Sequence, residues 1–272
     1  MISCILRGGL GNGMFQVAAT YALAKDNNDE CAFDFEHSIL KYQGQRAIVY
    51  MDNVYMKLQP LSKDFRPTIK YKEPRFSYLP ILYRDGMVLD GYFQSAIYFD
   101  HRKSEIQDLF IKENVIDKLK NTYKDILVNS VGVHVRRGDY NKFNGIHYYL
   151  PVEYYDQALY EIEKNHQVDN IIVSSDDIGW CKKAFKHPKA IFSVGLKDYE
   201  DLYLQSLCTH NIISNSSFGW WGAYLNKNCD KVVVAPAKWF DNPQGKIPIK
   251  QCDLPDSRYD SKDIYTPDMI RI

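Results

Sequence analysis

Between Ser130 and Ala235 the sequence alternates short apolar runs with stretches of helical periodicity, and nothing else constrains the fold as much. Strands are predicted at Val131–Val135, Asn170–Ser174, Ala190–Ser193, Asn211–Ser214 and Lys231–Ala235. Helices are predicted at Pro151–Asn165, Asp177–Phe185, Asp198–Thr209 and Phe218–Leu225, with Pro151 suited to a first turn and Asp198 to an N-cap. Strands joined through helices pair in parallel, and a parallel sheet buries both faces. Ligands of such sheets bind beyond the carboxyl ends of the strands. The residues that follow each strand are therefore the candidate site.

Three polar clusters lie there. After Val135 come Arg136, Arg137, Gly138 and Asp139; after Ser174 come Ser175, Asp176 and Asp177; after Ser214 come Asn215, Ser216, Ser217 and Phe218, which open a helix. Two arginines at the end of a buried strand are costly unless they meet anions, and a guanidinium matches a phosphate with two parallel hydrogen bonds. Ser216, Ser217 and the N–H groups of the following helix can hold a phosphate. Asp176 or Asp177 can accept from a guanine or from ribose hydroxyls. Each cluster also has a purely structural reading: a solvated loop for the arginines, helix capping for the aspartates and serines. His134 is either a buried, hydrogen-bonded histidine or a nucleotide contact. Trp220 and Trp221 read as core packing against the sheet, with sugar stacking as the alternative.

The amino-terminal half is less regular. Ile2–Leu6 reads as a strand and runs into Arg7-Gly8-Gly9-Leu10-Gly11-Asn12, after which Met14, Val17, Ala18, Tyr21 and Ala22 mark a helical face. Cys31–Phe35 reads as a second strand, with the acids Asp34 and Glu36 at its end; Met87–Asp90 reads as another, followed by Gly91-Tyr92-Phe93-Gln94. Residues 41–86 have no clear period, and such loops often carry acceptor specificity. His101–Phe110 and Glu113–Leu127 look helical. Two α/β halves are expected, residues 1–127 and 128–250, with a tail at 251–272 that can pack back on the first half.

Composition narrows the function. Lys and Arg number 34 and so do Asp and Glu, so no polyanion partner is implied and nucleic-acid binding is disfavoured. The six cysteines form no C-x-x-C pair and read as reduced thiols of a cytoplasmic protein. The seven histidines show no metal-ligand spacing, so no metal is expected. No charged-then-apolar leader and no transmembrane segment is expected.

Taken together, Gly8-Gly9-Leu10-Gly11-Asn12, Gly91-Tyr92-Phe93-Gln94-Ser95, His134-Val135-Arg136-Arg137-Gly138-Asp139-Tyr140, Ser175-Asp176-Asp177 and Asn215-Ser216-Ser217-Phe218-Gly219-Trp220-Trp221-Gly222 resemble the motifs of glycosyltransferase family 11, the α-1,2-fucosyltransferases. The H-x-R-R-x-D element is shared with α-1,6- and protein O-fucosyltransferases. Gly13 and Val17 depart from the family's usual Gln and Tyr. The resemblance implies a GT-B-like α/β fold, two Rossmann-like domains facing a central cleft. It implies GDP-β-L-fucose as donor, a terminal β-galactoside as acceptor, inversion to an α-1,2 linkage and no metal or other cofactor.

Carried over by motif, donor binding falls to Gly11, Asn12, His134, Arg136, Arg137, Asp176, Asp177, Asn215, Ser216, Ser217 and Phe218. Arg136 also serves catalysis by meeting the leaving β-phosphate. Asp139 and His147 are the candidate bases, although Asp139 can instead brace Arg136; Asp34, Glu36 and Asp90 are further carboxylates in the first half. Peripheral association with a membrane-bound glycan pathway is compatible with such a chain. The alternatives are another GDP-fucose-dependent transferase, of α-1,6 or protein O type, and a non-catalytic glycan- or nucleotide-binding protein on the same fold.

Overall fold

The computed structural model describes residues 1–40, 44–138, 140, 149–240 and 259–272. They divide into two compact units: Met1–Ile111 with the described part of Ile249–Thr266, and Lys112–Pro248 with Pro267–Ile272. The division falls after Ile111, ahead of the expected 127/128 limit, because the helix Glu113–Leu127 packs on helix Asp198–Leu207 of the second unit.

The first unit holds a three-stranded parallel sheet of β1 (Ser3–Cys4), β2 (Ile69–Lys72) and β3 (Met87–Asp90), in the order β1-β3-β2. Helix α1 spans Leu10–Asp26. It starts at Leu10, so Gly11, Asn12 and Gly13 lie in its first turn and not in a turn before it. Small residues let α1 bury on several sides at once: Met14, Phe15, Val17, Ala18 and Ala22 are fully buried. Cys31–Phe35 forms no continuous strand; the isolated parallel bridges Ile2–Cys31 and Phe33–Pro60 hold it. Helix α2 (Lys103–Leu109) follows β3, and Asp263 of the 259–266 stretch accepts from the Tyr78 N–H at 2.9 Å.

The second unit contains α3 (Glu113–Leu127), β4 (Ser130–Val135), α4 (Val152–Glu163), β5 (Asn170–Ser175), α5 (Ile178–Ala184), β6 (Ala190–Phe192), α6 (Asp198–Leu207), β7 (His210–Ile212), α7 (Ser217–Leu225), β8 (Val233–Ala235) and β9 (Met269–Arg271). All pairings are parallel, in the order β6-β5-β4-β7-β8-β9. Counted from β4 this is 3-2-1-4-5-6, the doubly wound order whose switch point lies between β4 and β7.

The alternation along β4 sets the site. Val131, Val133 and Val135 enter one core with Tyr155, Leu159 and Ile162 of α4 and Cys181 of α5. Burying each valine contributes about 1.5–3 kcal/mol. Gly132 and His134 occupy the alternate positions, on the face of α6 and α7. A Cβ on Gly132 would lie 2.5 Å from Gln205 Oε1 and 3.0 Å from Cys208 Sγ, so the glycine lets α6 approach. Trp220 and Trp221 are fully buried, as expected of core residues. Cys4, Cys31, Cys181, Cys208 and Cys229 are free thiols. Among the described residues no helix is long and apolar enough to cross a membrane.

Candidate active site

The parallel register brings the ends of β4, β5 and β7 to one rim of the second unit. Arg136 leaves β4 and its guanidinium lies 3.0 Å from Asp176 Oδ2. The same carboxylate accepts from the N–H groups of Arg137 at 2.9 Å and Gly138 at 3.0 Å. Asp176 therefore braces the arginine turn, and both its oxygens are engaged within the rim. Asp177 takes the capping role: its Oδ1 accepts from the Trp180 N–H at 3.0 Å and starts α5. The two carboxylates assigned by sequence to the nucleoside are thus held by protein groups.

The two arginines differ. Arg136 lies 5.9 Å from the Tyr140 ring centroid, and the Tyr140 hydroxyl donates to the Asn215 carbonyl at 2.5 Å. That bond ties the β4 exit to the β7 exit across the switch point. Arg137 is sandwiched between aromatic rings, 4.3 Å from Tyr149 and 3.8 Å from Trp180, with its Nε 3.7 Å from Asp177. Stacked this way, Arg137 holds the rim together. Sequence reasoning missed Tyr149 and Trp180. Only the spacing of Trp180 three residues into α5 hinted at a ring on this rim.

His134 is buried, with Nδ1 2.9 Å from Ser214 Oγ and its ring 5.1 Å from that of Phe218. Burial, and secondarily the charge of Arg136, pushes its pKa down to about 3, so the imidazole is neutral at physiological pH. A Cβ on Gly219 would lie 2.7 Å from His134 Nδ1, so α7 can pass the imidazole only as a glycine helix here. Ser216 sits at the N-cap of α7 in extended backbone, yet its side chain does not cap the helix, and no acid occupies the first turn. Neither Ser216 nor an acid of the first turn therefore offsets the positive partial charge of that helix end. Ser217 is its first residue. Asn215 is buried; its Nδ2 donates to Trp239 O at 3.3 Å, while Oδ1 has no partner among the described residues. An unmet buried acceptor costs about 1–3 kcal/mol, and a ligand donor would remove that cost.

The first unit holds the glycine-rich turn. Gly8 has a φ of +80°, and Asn12 Nδ2 fills the space where its Cβ would be. Asn12 Oδ1 accepts from Gln94 Nε2 at 2.7 Å, and Gly11 is buried beside it in α1. Asp90 pairs with Arg7 and, at 2.7 Å, with Lys70, so its carboxylate is held by two cations. Asp34 bonds His37 on the surface and Glu36 is exposed. Gly13, the departure from the family pattern, has a physical reason: a Cβ there would lie 2.5 Å from the Tyr55 hydroxyl. Asp139 and His147 lie outside the described residues. Among the described residues no group of three or more His, Cys, Asp or Glu is placed to hold a metal.

The rim can thus present a fixed guanidinium, an uncapped helix end, a neutral imidazole and a buried acceptor to an anionic nucleotide. The sequence model described as Glycosyl transferase family 11 matches residues 5–255. The O-antigen biosynthesis glycosyltransferase WbnK of Escherichia coli is 32% identical, over 88% of this chain and 95% of that protein. An alpha-1,2-colitosyltransferase of Escherichia coli is 30% identical, over 88% and 92%. Galactoside alpha-(1,2)-fucosyltransferase 2 of Bos taurus is 27% identical, over 88% and 73%. Among solved structures, the Bradyrhizobium fucosyltransferase NodZ aligns with a TM-score of 0.49 at 11% identity, over 81% of this chain and 91% of that one.

Proposed function

The chain belongs to glycosyl transferase family 11 and is a glycosyltransferase, and from that premise we propose that it moves L-fucose from GDP-β-L-fucose to the 2-hydroxyl of a terminal β-galactoside, with inversion and without a metal. The observation that carries the reading is the Arg136–Asp176 pair across the exits of β4 and β5, next to the switch point and the start of α7. In the proposed reaction the acceptor oxygen bonds the anomeric carbon as the bond from that carbon to the β-phosphate oxygen breaks. GDP leaves with the electron pair, and inversion turns the β-linked donor into an α-linked product. Arg136 and the N–H groups of α7 stabilise the leaving diphosphate, a role a fixed cation and a helix end can fill without a metal ion.

His134, Phe218, Asn215 and Ser216, with Ser217, form the nucleotide-binding group on this reading. A neutral His134 can donate or accept without competing for the phosphates. Arg137 contributes by shaping the rim. Gly11 and Asn12 are proposed to touch substrate from the first unit. Asp139 and His147 remain the candidates to take the proton of the acceptor hydroxyl as it attacks. Two of these relatives are named for an α-1,2 linkage and differ in the sugar, which supports a second arm with a GDP-colitose donor.

The test is product analysis by NMR after incubating GDP-fucose with lactose in EDTA. An α-linked fucose on the galactose 2-hydroxyl is expected. Fucose on another hydroxyl, transfer only from GDP-colitose, or a strict need for Mg²⁺ or Mn²⁺ would each overturn the corresponding part of the proposal.

A further inference from the structure

Glu73 follows β2 on the carboxyl rim of the first sheet, beside the exit of β3. Its two carboxylate oxygens accept from successive backbone N–H groups, Tyr92 at 2.6 Å and Phe93 at 2.9 Å. The fit is tight: a Cβ on Gly91 would run into Glu73 Cβ and lie 2.7 Å from its Oε2. Phe93 has a φ of +51°, a left-handed conformation that costs a residue with a side chain about 1–2 kcal/mol and persists only where neighbours impose it. The next residue is Gln94, whose amide donates to Asn12 Oδ1 at 2.7 Å. Gln16 secures the other side of the same turn, donating to Gly91 O at 3.0 Å and accepting from the Arg7 N–H at 2.9 Å.

We infer that Glu73 is a positioning residue, holding the Tyr92–Phe93 backbone so that Gln94 fixes the carboxamide of Asn12 at the start of α1. This rests on the reading that Asn12 touches substrate. It adds a residue that none of the motifs contains and that acts on the reaction only through Gln94.

The charged surroundings make the device proton-sensitive. Arg7 after β1 and Asp90 at the end of β3 act on Glu73 electrostatically, Lys70 of β2 pairs with Asp90, and Tyr71 and Tyr98 lie within its field. Arg7 is itself paired with Asp90 and acts on Glu73 only as a nearby charge. Burial raises its pKa to about 7, against the pull of its two backbone donors. Above that pH the carboxylate accepts both N–H groups fully. Below it one oxygen carries a proton and accepts weakly, so the turn loosens as pH falls through about 7.

The test compares Glu73→Gln and Glu73→Ala with the wild-type chain in three readouts. Calorimetric GDP affinity reads the second unit and is expected to stay within about twofold in both variants, while kcat/KM for transfer falls roughly tenfold or more in Glu73→Ala. Glu73→Gln, which keeps one acceptor and carries no titrating proton, is expected to hold the reduced rate of the acid form at every pH and so to lose the pH dependence near neutrality. The Asn12 side-chain amide resonance is expected to titrate near pH 7 in the wild type, not in Glu73→Gln, and to move in Glu73→Ala. Wild-type transfer rates in Glu73→Ala with an unmoved Asn12 resonance would overturn the inference, as would a parallel loss of GDP affinity. If Glu73→Ala does not fold, the pH behaviour of the Asn12 resonance in Glu73→Gln decides alone. Failure of the wild type to transfer fucose would count against the proposed reaction and leave the NMR result readable.

Discussion

Arg136 reaches Asp176 across 3.0 Å, and the carboxylate that receives it also receives the backbone N–H groups of Arg137 and Gly138. The cation is therefore pre-aimed before any ligand arrives, and its orienting partner belongs to the neighbouring strand. Arg136→Ala is expected to lower turnover by about 10²-fold or more, as loss of a transition-state charge contact does. Asp176→Asn keeps the shape and removes the charge. It is expected to cost part of that factor and to be non-additive with Arg136→Ala in a double-mutant cycle read by kcat. Near-normal turnover in Arg136→Ala would remove the arginine from the reaction.

Arg137 predicts a different pattern. Its guanidinium lies over the rings of Tyr149 and Trp180, so Arg137→Lys keeps the charge and loses the planar group that meets them. The lysine variant should then resemble Trp180→Ala: a loss of stability of about 0.5–2 kcal/mol in urea denaturation, with a smaller loss of turnover than Arg136→Ala. A lysine variant as stable as wild type but without GDP binding would assign Arg137 to the phosphate instead.

Gly219→Ala places a methyl 2.7 Å from His134 Nδ1. The imidazole or α7 must shift, a kind of overpacking that costs about 1–3 kcal/mol. A lowered Tm and weakened GDP binding are expected together. Full GDP affinity at a lowered Tm would place the nucleotide away from His134.

Gly13 and Tyr55 form a compensating pair. Gly13→Ala alone should destabilise, because its Cβ would lie 2.5 Å from the Tyr55 hydroxyl. In a Tyr55→Phe background the obstructing oxygen is gone and the nearest ring carbon is 3.7 Å away, so the same change should be tolerated. Equal Tm losses in both backgrounds would contradict this account of the departure from the family pattern.

Stability against pH has opposing contributions. His134, lowered to about 3, and His210, lowered to about 4, both by burial first, bind fewer protons folded than unfolded, so their contribution is lost as pH falls below 6.5. Glu73, raised to about 7, and Asp201, raised to about 6, again by burial first, bind more protons folded, so their contribution is lost as pH rises through those values. The two trends offset each other in mildly acid solution. Glu73→Gln removes one of them. Its unfolding free energy, relative to wild type, should rise with pH between about 4.5 and 7 and then level off. A difference independent of pH would deny the raised carboxyl.

Much of the second unit was legible because strands buried on both faces read as short, mostly apolar and β-branched runs. Val131–Val135 and Asn170–Ser174 were placed to within a residue for that reason. Of the edge strands, β1 and β6 were legible and β2 and β9 were not. Ile69–Lys72 alternates apolar with lysine inside a segment without a period, and Met269–Arg271 is three residues long. In the site, the positions of Arg136, His134 and Ser216 followed from strand ends alone. The partners did not: a sequence cannot say whether Asp176 turns toward a ligand or toward the N–H groups of residues 137 and 138. Glu73 escaped notice because it acts through backbone groups about 20 residues away, at Tyr92 and Phe93.

The strand Met269–Arg271 pairs along β8 after the chain has contributed residues to the first unit, and Ala237 and Ile272 extend that pairing through the Ala237 N–H to Ile272 O bond. No single cut can therefore divide the protein into its two units. A fragment ending at Pro248 would leave β8 as a bare edge, a row of unpaired N–H and C=O groups that invites another chain to dock. Such a fragment should self-associate when expressed alone and be relieved by adding a peptide of residues 267–272 in trans. Excising either unit as an independent piece would require rejoining the chain in a new order.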